Sequence, residues 1–139
     1  MQRAIRGREP TPIPEQSGPR KLAAITDQRE QLRVFAADIV LRIERAGPLM
    51  TVLAGAYRTD PELAELFARL HSDRLRNLTV LVDLLGANGP LRLDRDQAAE
   101  TVWALASPEL HRLLTRTGGW TRERYCDWLS ETLAAALLG

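Results

Sequence analysis

One cysteine, one lysine and two histidines stand among 139 residues, and each scarcity removes a class of protein. Cys126 alone cannot build an internal disulfide framework, so a reducing, cytoplasmic setting is expected. His71 and His111 lie far apart with no Glu-x-x-His or Cys-x-x-Cys spacing beside them, so no metal site is expected. No apolar run approaches the ~18 residues of a membrane helix, and the N-terminus is polar and Pro-rich where a signal peptide needs an apolar block. A net charge of +1 gives no basic excess that would announce nucleic acid. The chain has no nucleophile elbow and no Gly-rich phosphate loop. Ser107 and His111 are four apart, but Ser107 stands where a helix cap is needed before Pro108. Cys126, on an amphipathic segment, reads as a small packed residue more readily than as a nucleophile. The expectation is therefore no enzyme and no cofactor. The excess of arginine over lysine, with abundant Leu and Ala, resembles the coding bias of a GC-rich bacterial genome.

What is present is the pattern of an all-α domain. Pro10, Pro12, Pro14 and Pro19 fall in one stretch and favour extended backbone, so residues 1–25 read as the end of a connecting helix followed by a linker outside the core. The early basic residues Arg3, Arg6, Arg8, Arg20 and Lys21 fit either a solvated linker or a backbone-contacting arm. Residues 26–139 form the domain proper. Pro48, Pro61 and Pro108 each follow a cap or break, the arrangement of proline at a first helical position. Asp27 with Glu30 and Asp94 with Gln97 have capping-box spacing, and Gly86 and Gly118-Gly119 mark helix ends. The spacing predicts helices near 28–46, 48–57, 61–86, 95–106, 108–117 and 122–138, a bundle of about six, and no segment alternates like a half-buried strand.

In the first of these helices Leu32, Phe35, Ile39 and Ile43 share a face, while Val34 and Leu41 lie nearly opposite, so the helix is contacted on two sides. Asp38 sits on a polar flank, spaced to pair with Arg42. Segment 48–57 is apolar all round except Thr51, and such a helix must be surrounded by protein. Its stripe Met50, Leu53 and Tyr57 is either core or the wall of a small-molecule cavity. Helix 122–138 spreads Tyr125, Cys126, Trp128, Leu129, Thr132, Leu133, Ala136 and Leu137 over about 200° of its circumference, wider than one packed face requires. Helix 95–106 shows a similar excess, with Ala99, Trp103 and Ala106 beside Val102 and Leu105. A symmetric homodimer through residues 95–117 and 122–138 would bury both, with Trp103, Ser107, Leu110, Leu114, Trp128, Leu129, Thr132, Leu133 and Ala136 as its candidate interface.

Two stretches carry a family resemblance. The run Thr101-Val-Trp-Ala-Leu-Ala-Ser-Pro-Glu-Leu-His-Arg-Leu-Leu, followed by Gly119-Trp-Thr-Arg-Glu-Arg-Tyr-Cys-Asp-Trp-Leu, resembles the end of many tetracycline-repressor-family (TetR) regulators. The segment Asp60-Pro-Glu-Leu-Ala-Glu-Leu, continuing to Arg74, is similar to their long middle helix. The resemblance implies a helical effector-binding core whose final two helical segments pack into a four-helix dimer interface. It also implies an unidentified small apolar or amphipathic effector, and operator DNA reached only through a helix-turn-helix module. Met1 to Arg6, ahead of the linker, are too few for that module, which is expected to be absent from this chain. The family's effector residues follow no fixed motif, so candidates come from the residues themselves.

Those candidates are Phe35, Ile39, Met50, Leu53, Tyr57, Phe67, His71, Arg74, Asn77 and Trp103. Helix 61–86 has an apolar face of Leu63, Leu66, Phe67, Leu70, Leu78, Leu81 and Leu85, with Arg74 near its middle and His71 and Asn77 at its edges. A charge facing the interior must be paired or must reach water. For Arg74 three fates are open: an internal ion pair with Glu100 or Glu44, an extended stem reaching the surface, or contact with an acidic ligand. Two functions are open as well. One is a small-molecule sensor, favoured by a cavity lined by Met50, Tyr57 and Phe67; the other is a ligand-free helical dimerisation module, favoured by a close-packed interior.

Overall fold

The computed structural model describes residues 21–138, which are helical with no strand among them. The linker's prolines and most of its basic residues lie outside the described residues. Five α-helices follow one another: α1 (Gln28–Ala56), α2 (Pro61–Gly86), α3 (Arg95–Leu105), α4 (Pro108–Arg112) and α5 (Arg122–Leu137), with a π-helical turn at Leu113–Thr117 between the last two. Helix α1 is the centre: α5 packs along it, α2 folds back on it and α4 abuts it, while α3 packs chiefly on α2.

The starts of α2, α3, α4 and α5 follow the capping chemistry of the sequence. Asp60 accepts from the backbone N–H of Glu62 at 3.0 Å, with Pro61 at the first helical position. Asp94 accepts from Gln97 N–H at 2.8 Å, Ser107 from Leu110 N–H at 3.1 Å, and Thr121 from Arg124 N–H at 3.1 Å. Asp27 differs from expectation: its side chain caps nothing, and Glu30 is drawn instead to Arg33 at 2.9 Å.

Two expected helices, 28–46 and 48–57, are one. Helix α1 runs through Pro48. Proline there removes the hydrogen bond its N–H would give the Glu44 carbonyl, a loss that is smallest where the backbone faces water, and both Glu44 and Pro48 are exposed. Tertiary packing on both sides of the break, with Ile43 and Met50 buried, outweighs the local signal. The expected helix 108–117 changes character instead: after Arg112 it widens into the π-turn, closed by Gly118 N–H donating to the Leu113 carbonyl at 2.9 Å. A Cβ on Gly118 would lie 2.6 Å from the Leu114 carbonyl oxygen, and Gly119 has φ 75, so the pair of glycines is what permits this exit.

The core joins Leu32, Phe35, Ala36 and Val40 of α1 to Leu78, Leu81, Val82 and Leu85 of α2, Ala98, Ala99 and Val102 of α3, and Tyr125, Leu129, Leu133 and Leu137 of α5. Leu22 belongs to this core as well, at 7% exposure, so the expected linker gives way to packed chain before residue 25. The Gln31 side chain, wholly buried, donates to the Leu22 carbonyl at 3.1 Å and ties that segment down. Lys21 meets Asp38 at 3.8 Å. The segment expected to be surrounded by protein is covered on one side only: Met50 and Leu53 are buried, whereas Leu49 and Val52 are 51% and 64% exposed.

Leu129 and Leu133 are each 0% exposed within the protomer. They cannot form a dimer surface, and the excess apolar width of α5 is partly consumed by its own neighbours α1, α3 and the π-turn. Leu129→Ala should therefore lower unfolding free energy by about 2–5 kcal/mol in urea titrations, the range for a large-to-small change in a sealed core. Leu133→Glu should yield an unfolded chain by circular dichroism; a well-folded monomer would show that this face is not core.

Candidate functional site

Five of the ten candidate ligand residues converge. Tyr57, at the end of α1, stacks on Phe67 of α2 with ring centroids 5.1 Å apart. Phe67 meets His71 edge-on at 4.6 Å, one helical turn along α2, and His71 meets Trp103 of α3 at 5.8 Å. The Trp103 indole N–H donates to the His71 carbonyl at 3.1 Å, fixing α3 against α2. In this half-buried ladder Tyr57 and Phe67 pack on each other, the close-packed alternative of the two left open for them.

Arg74 takes none of the three anticipated fates. Its guanidinium donates to the backbone carbonyls of Trp103 at 3.1 Å and Ala106 at 3.2 Å, the last turn of α3, and to His71 Nδ1 at 3.0 Å. A helix C-terminus leaves carbonyls without partners and carries partial negative charge, so it takes the place of the carboxylate that an inward-facing arginine seeks. Glu44 is engaged elsewhere, by Arg122 at 2.6 and 2.9 Å. With Nδ1 accepting from Arg74, the His71 ring carries its proton on Nε2, which faces Glu109 at 3.3 Å. Burial lowers the Arg74 pKa, opposed by Glu109 and Tyr125, yet a guanidinium remains charged under all ordinary conditions.

The other candidates disperse. Phe35 lies in the core and Ile39 packs against it. Leu53 is buried, and Asn77 is exposed. Met50 lines a different feature: a half-open groove of about 380 Å³ between the second half of α1 and the α4–π-turn segment. Its apolar lining includes Ile43, Pro48, Met50 and Ala54 from α1 and Pro108 from α4; Arg112, Thr115 and Arg116 stand along the opposite wall. Sequence reasoning missed Arg112, Arg116 and the exposed Leu113 beside them. The four-residue spacing of the two arginines was visible, but only the continuity of α1 through Pro48 supplies the facing wall.

Of the candidate interface residues, Trp103, Ser107, Leu110, Leu114, Trp128, Thr132 and Ala136 are half-buried, unlike Leu129 and Leu133. Trp128 rests on Trp120, with ring centroids 5.9 Å apart, and Arg124 covers the Trp120 ring at 4.1 Å. Cys126 points its thiol at the Ala36 carbonyl, 3.8 Å away, and burial with the nearby Asp127 and Glu123 carboxylates raises its pKa. The thiolate is thereby disfavoured, in keeping with a packed cysteine. Tyr125 is fully buried, and that burial raises its phenol pKa strongly. Among the described residues no cluster of His, Cys, Asp or Glu could hold a metal, and no helix is long and apolar enough to cross a membrane.

No protein-family model, curated protein or solved structure matches this chain.

Arg74→Met should lower stability by about 2–3 kcal/mol in denaturant titrations, because two carbonyls at the end of α3 lose charge-assisted partners. An unchanged midpoint would show that Arg74 merely lies on the surface. A second expectation concerns His111, whose ring meets Tyr125 at 4.8 Å. Burial lowers its pKa, opposed by Glu44, so the folded protein binds this proton more weakly than the unfolded chain. Its contribution is then fully present above about pH 6.5 and is lost as pH falls through the lowered folded value. Thermal midpoints should drop over that acidic range, and His111→Phe should flatten the dependence.

Proposed function

We propose that this chain is the effector-sensing and dimerisation domain of a tetracycline-repressor-type transcriptional regulator, acting on operator DNA through helix-turn-helix modules of the kind that family carries. The supporting observation is a coincidence of resemblance and geometry. The run from Thr101 to Leu114, which resembles the family, supplies part of one wall of the α1–α4 groove and the half-buried Leu110, which lies outside the core cluster. A small molecule held between α1 and α4 would thus bear on the same short segment that a partner subunit would contact. Binding that differs between two arrangements of that segment is what allows an effector to change the spacing of paired DNA readers. The protein would work as a cytoplasmic homodimer without catalytic chemistry.

A second reading, a helical dimerisation module without a ligand, is favoured by the Tyr57–Phe67 stack, since these two rings pack on each other. Both readings require a dimer. Sedimentation equilibrium at micromolar concentration should give twice the chain mass, and Leu110→Glu, at a half-buried position outside the core cluster, should give a folded monomer. A wild-type monomer would refute both. A saturable rise in thermal midpoint with a small amphipathic compound separates the sensor from the bare module.

A further inference from the structure

The α1–α4 groove has an unbalanced set of charges. It contains two carboxylates and two guanidiniums, Glu44, Glu109, Arg112 and Arg116. Glu44 is engaged, accepting two hydrogen bonds from Arg122; Glu109 faces His71 Nε2 at 3.3 Å and leaves about half of its side chain exposed on the rim. Neither Arg112 nor Arg116 has a carboxylate within ion-pair distance among the described residues. Two uncommitted guanidiniums therefore stand over an apolar floor that includes Ile43, Pro48 and Met50.

The backbone brings them together. Residues four apart in a regular α-helix diverge by about 40° around the axis. Arg112 ends α4 and Arg116 lies within the π-turn, and both line the same groove and the same neighbouring hollow. A second concavity, of about 470 Å³, is lined by the same two arginines with Glu109, Leu113 and Thr117, so the pair borders both hollows and is accessible from solvent.

We propose that this groove is the effector site and that it takes a small amphipathic monocarboxylate, its carboxylate bridged by Arg112 and Arg116 and its apolar body laid along α1. A groove of about 380 Å³ falls at the small end of the roughly 300–1,000 Å³ range of small-molecule sites. A guanidinium binds a planar carboxylate through two parallel N–H···O bonds, and a second one beside it can take the remaining lone pairs. Glu109 on the same rim disfavours a doubly charged head. The proposal rests on the effector-sensing reading and adds the site and the ligand class.

The test titrates the full chain with octanoate, and in parallel with octanol and inorganic phosphate, by calorimetry and thermal shift. Octanoate should bind saturably and more weakly as salt is raised. The double variant Arg112→Gln/Arg116→Gln, at exposed positions, should melt like wild type yet lose at least about tenfold in octanoate affinity, equivalent to ~1.4 kcal/mol. Octanol affinity should not change with that substitution. Met50→Trp, filling the floor, should weaken both. Octanoate that fails to bind, or binds the double variant equally well, overturns the proposal, as does phosphate binding as tightly as octanoate. A neutral compound that stabilises wild type and double variant alike, with octanoate inert, would overturn this site while leaving the effector-sensing reading intact. A dimer that responds to no small molecule would remove both.

Discussion

The bundle is held in register by side-chain donors that reach across to the carbonyl ends of neighbouring helices. A helix C-terminus leaves up to four carbonyls without intrahelical partners, and these ends are close to other elements here. Arg74 of α2 serves the end of α3. Gln28 and Gln31 of α1 serve the end of α2, through Leu85 at 2.9 Å and Leu84 at 3.5 Å. Arg92, in the α2–α3 connection, serves the end of α5, its backbone donating to Leu137 and its side chain to Ala135, each at 2.8 Å. Apolar contact alone is non-directional and would tolerate sliding; these hydrogen bonds fix which turn of one helix meets which end of another.

Arg74 carries the most consequence because it lies where α2, α3 and α4 meet. Holding the last turn of α3 positions the Ser107 cap and so the start of α4. Through His71 the same group fixes the imidazole that faces Glu109 on α4. The course of α4 in turn sets the width of the groove and the height of the π-turn. A charge in the middle of an apolar face thus acts as a joint between helices, and the groove is framed by it without being lined by it.

The two halves of α1 have different roles. The first is sealed by α2 and α5, with Leu32, Ala36 and Val40 each at 1% exposure. The second extends past the core with Met50 and Leu53 turned inward and Leu49 and Val52 outward. Pro48 stands between them. Because the helix continues through it, the second half is rigidly carried by the first and can face α4 across a gap.

Capping residues, apolar spacing and the inward direction of Arg74 were legible in the sequence because they are local: a Ser, Thr or Asp before a proline or a turn of acid, and repeats of three and four along one helix, act through bonds only a few residues long. Asp60, Asp94 and Ser107 behave accordingly, whereas Asp27 does not. Charge partners and cavity walls were not legible. The partner Arg74 found is backbone, which every residue has and no sequence pattern marks. Leu129 and Leu133 had the spacing of an interface and proved to be core, since an apolar face looks alike whether its own chain or another covers it. The sequence by itself determined the helices, most of their ends and the faces they must bury, through short-range sterics and hydrogen bonding. Only the tertiary structure decided the passage through Pro48, the placing of Arg112 and Arg116 on the wall facing α1 and the acceptor for Arg74, because each depends on the free energy of packing elements far apart in the chain.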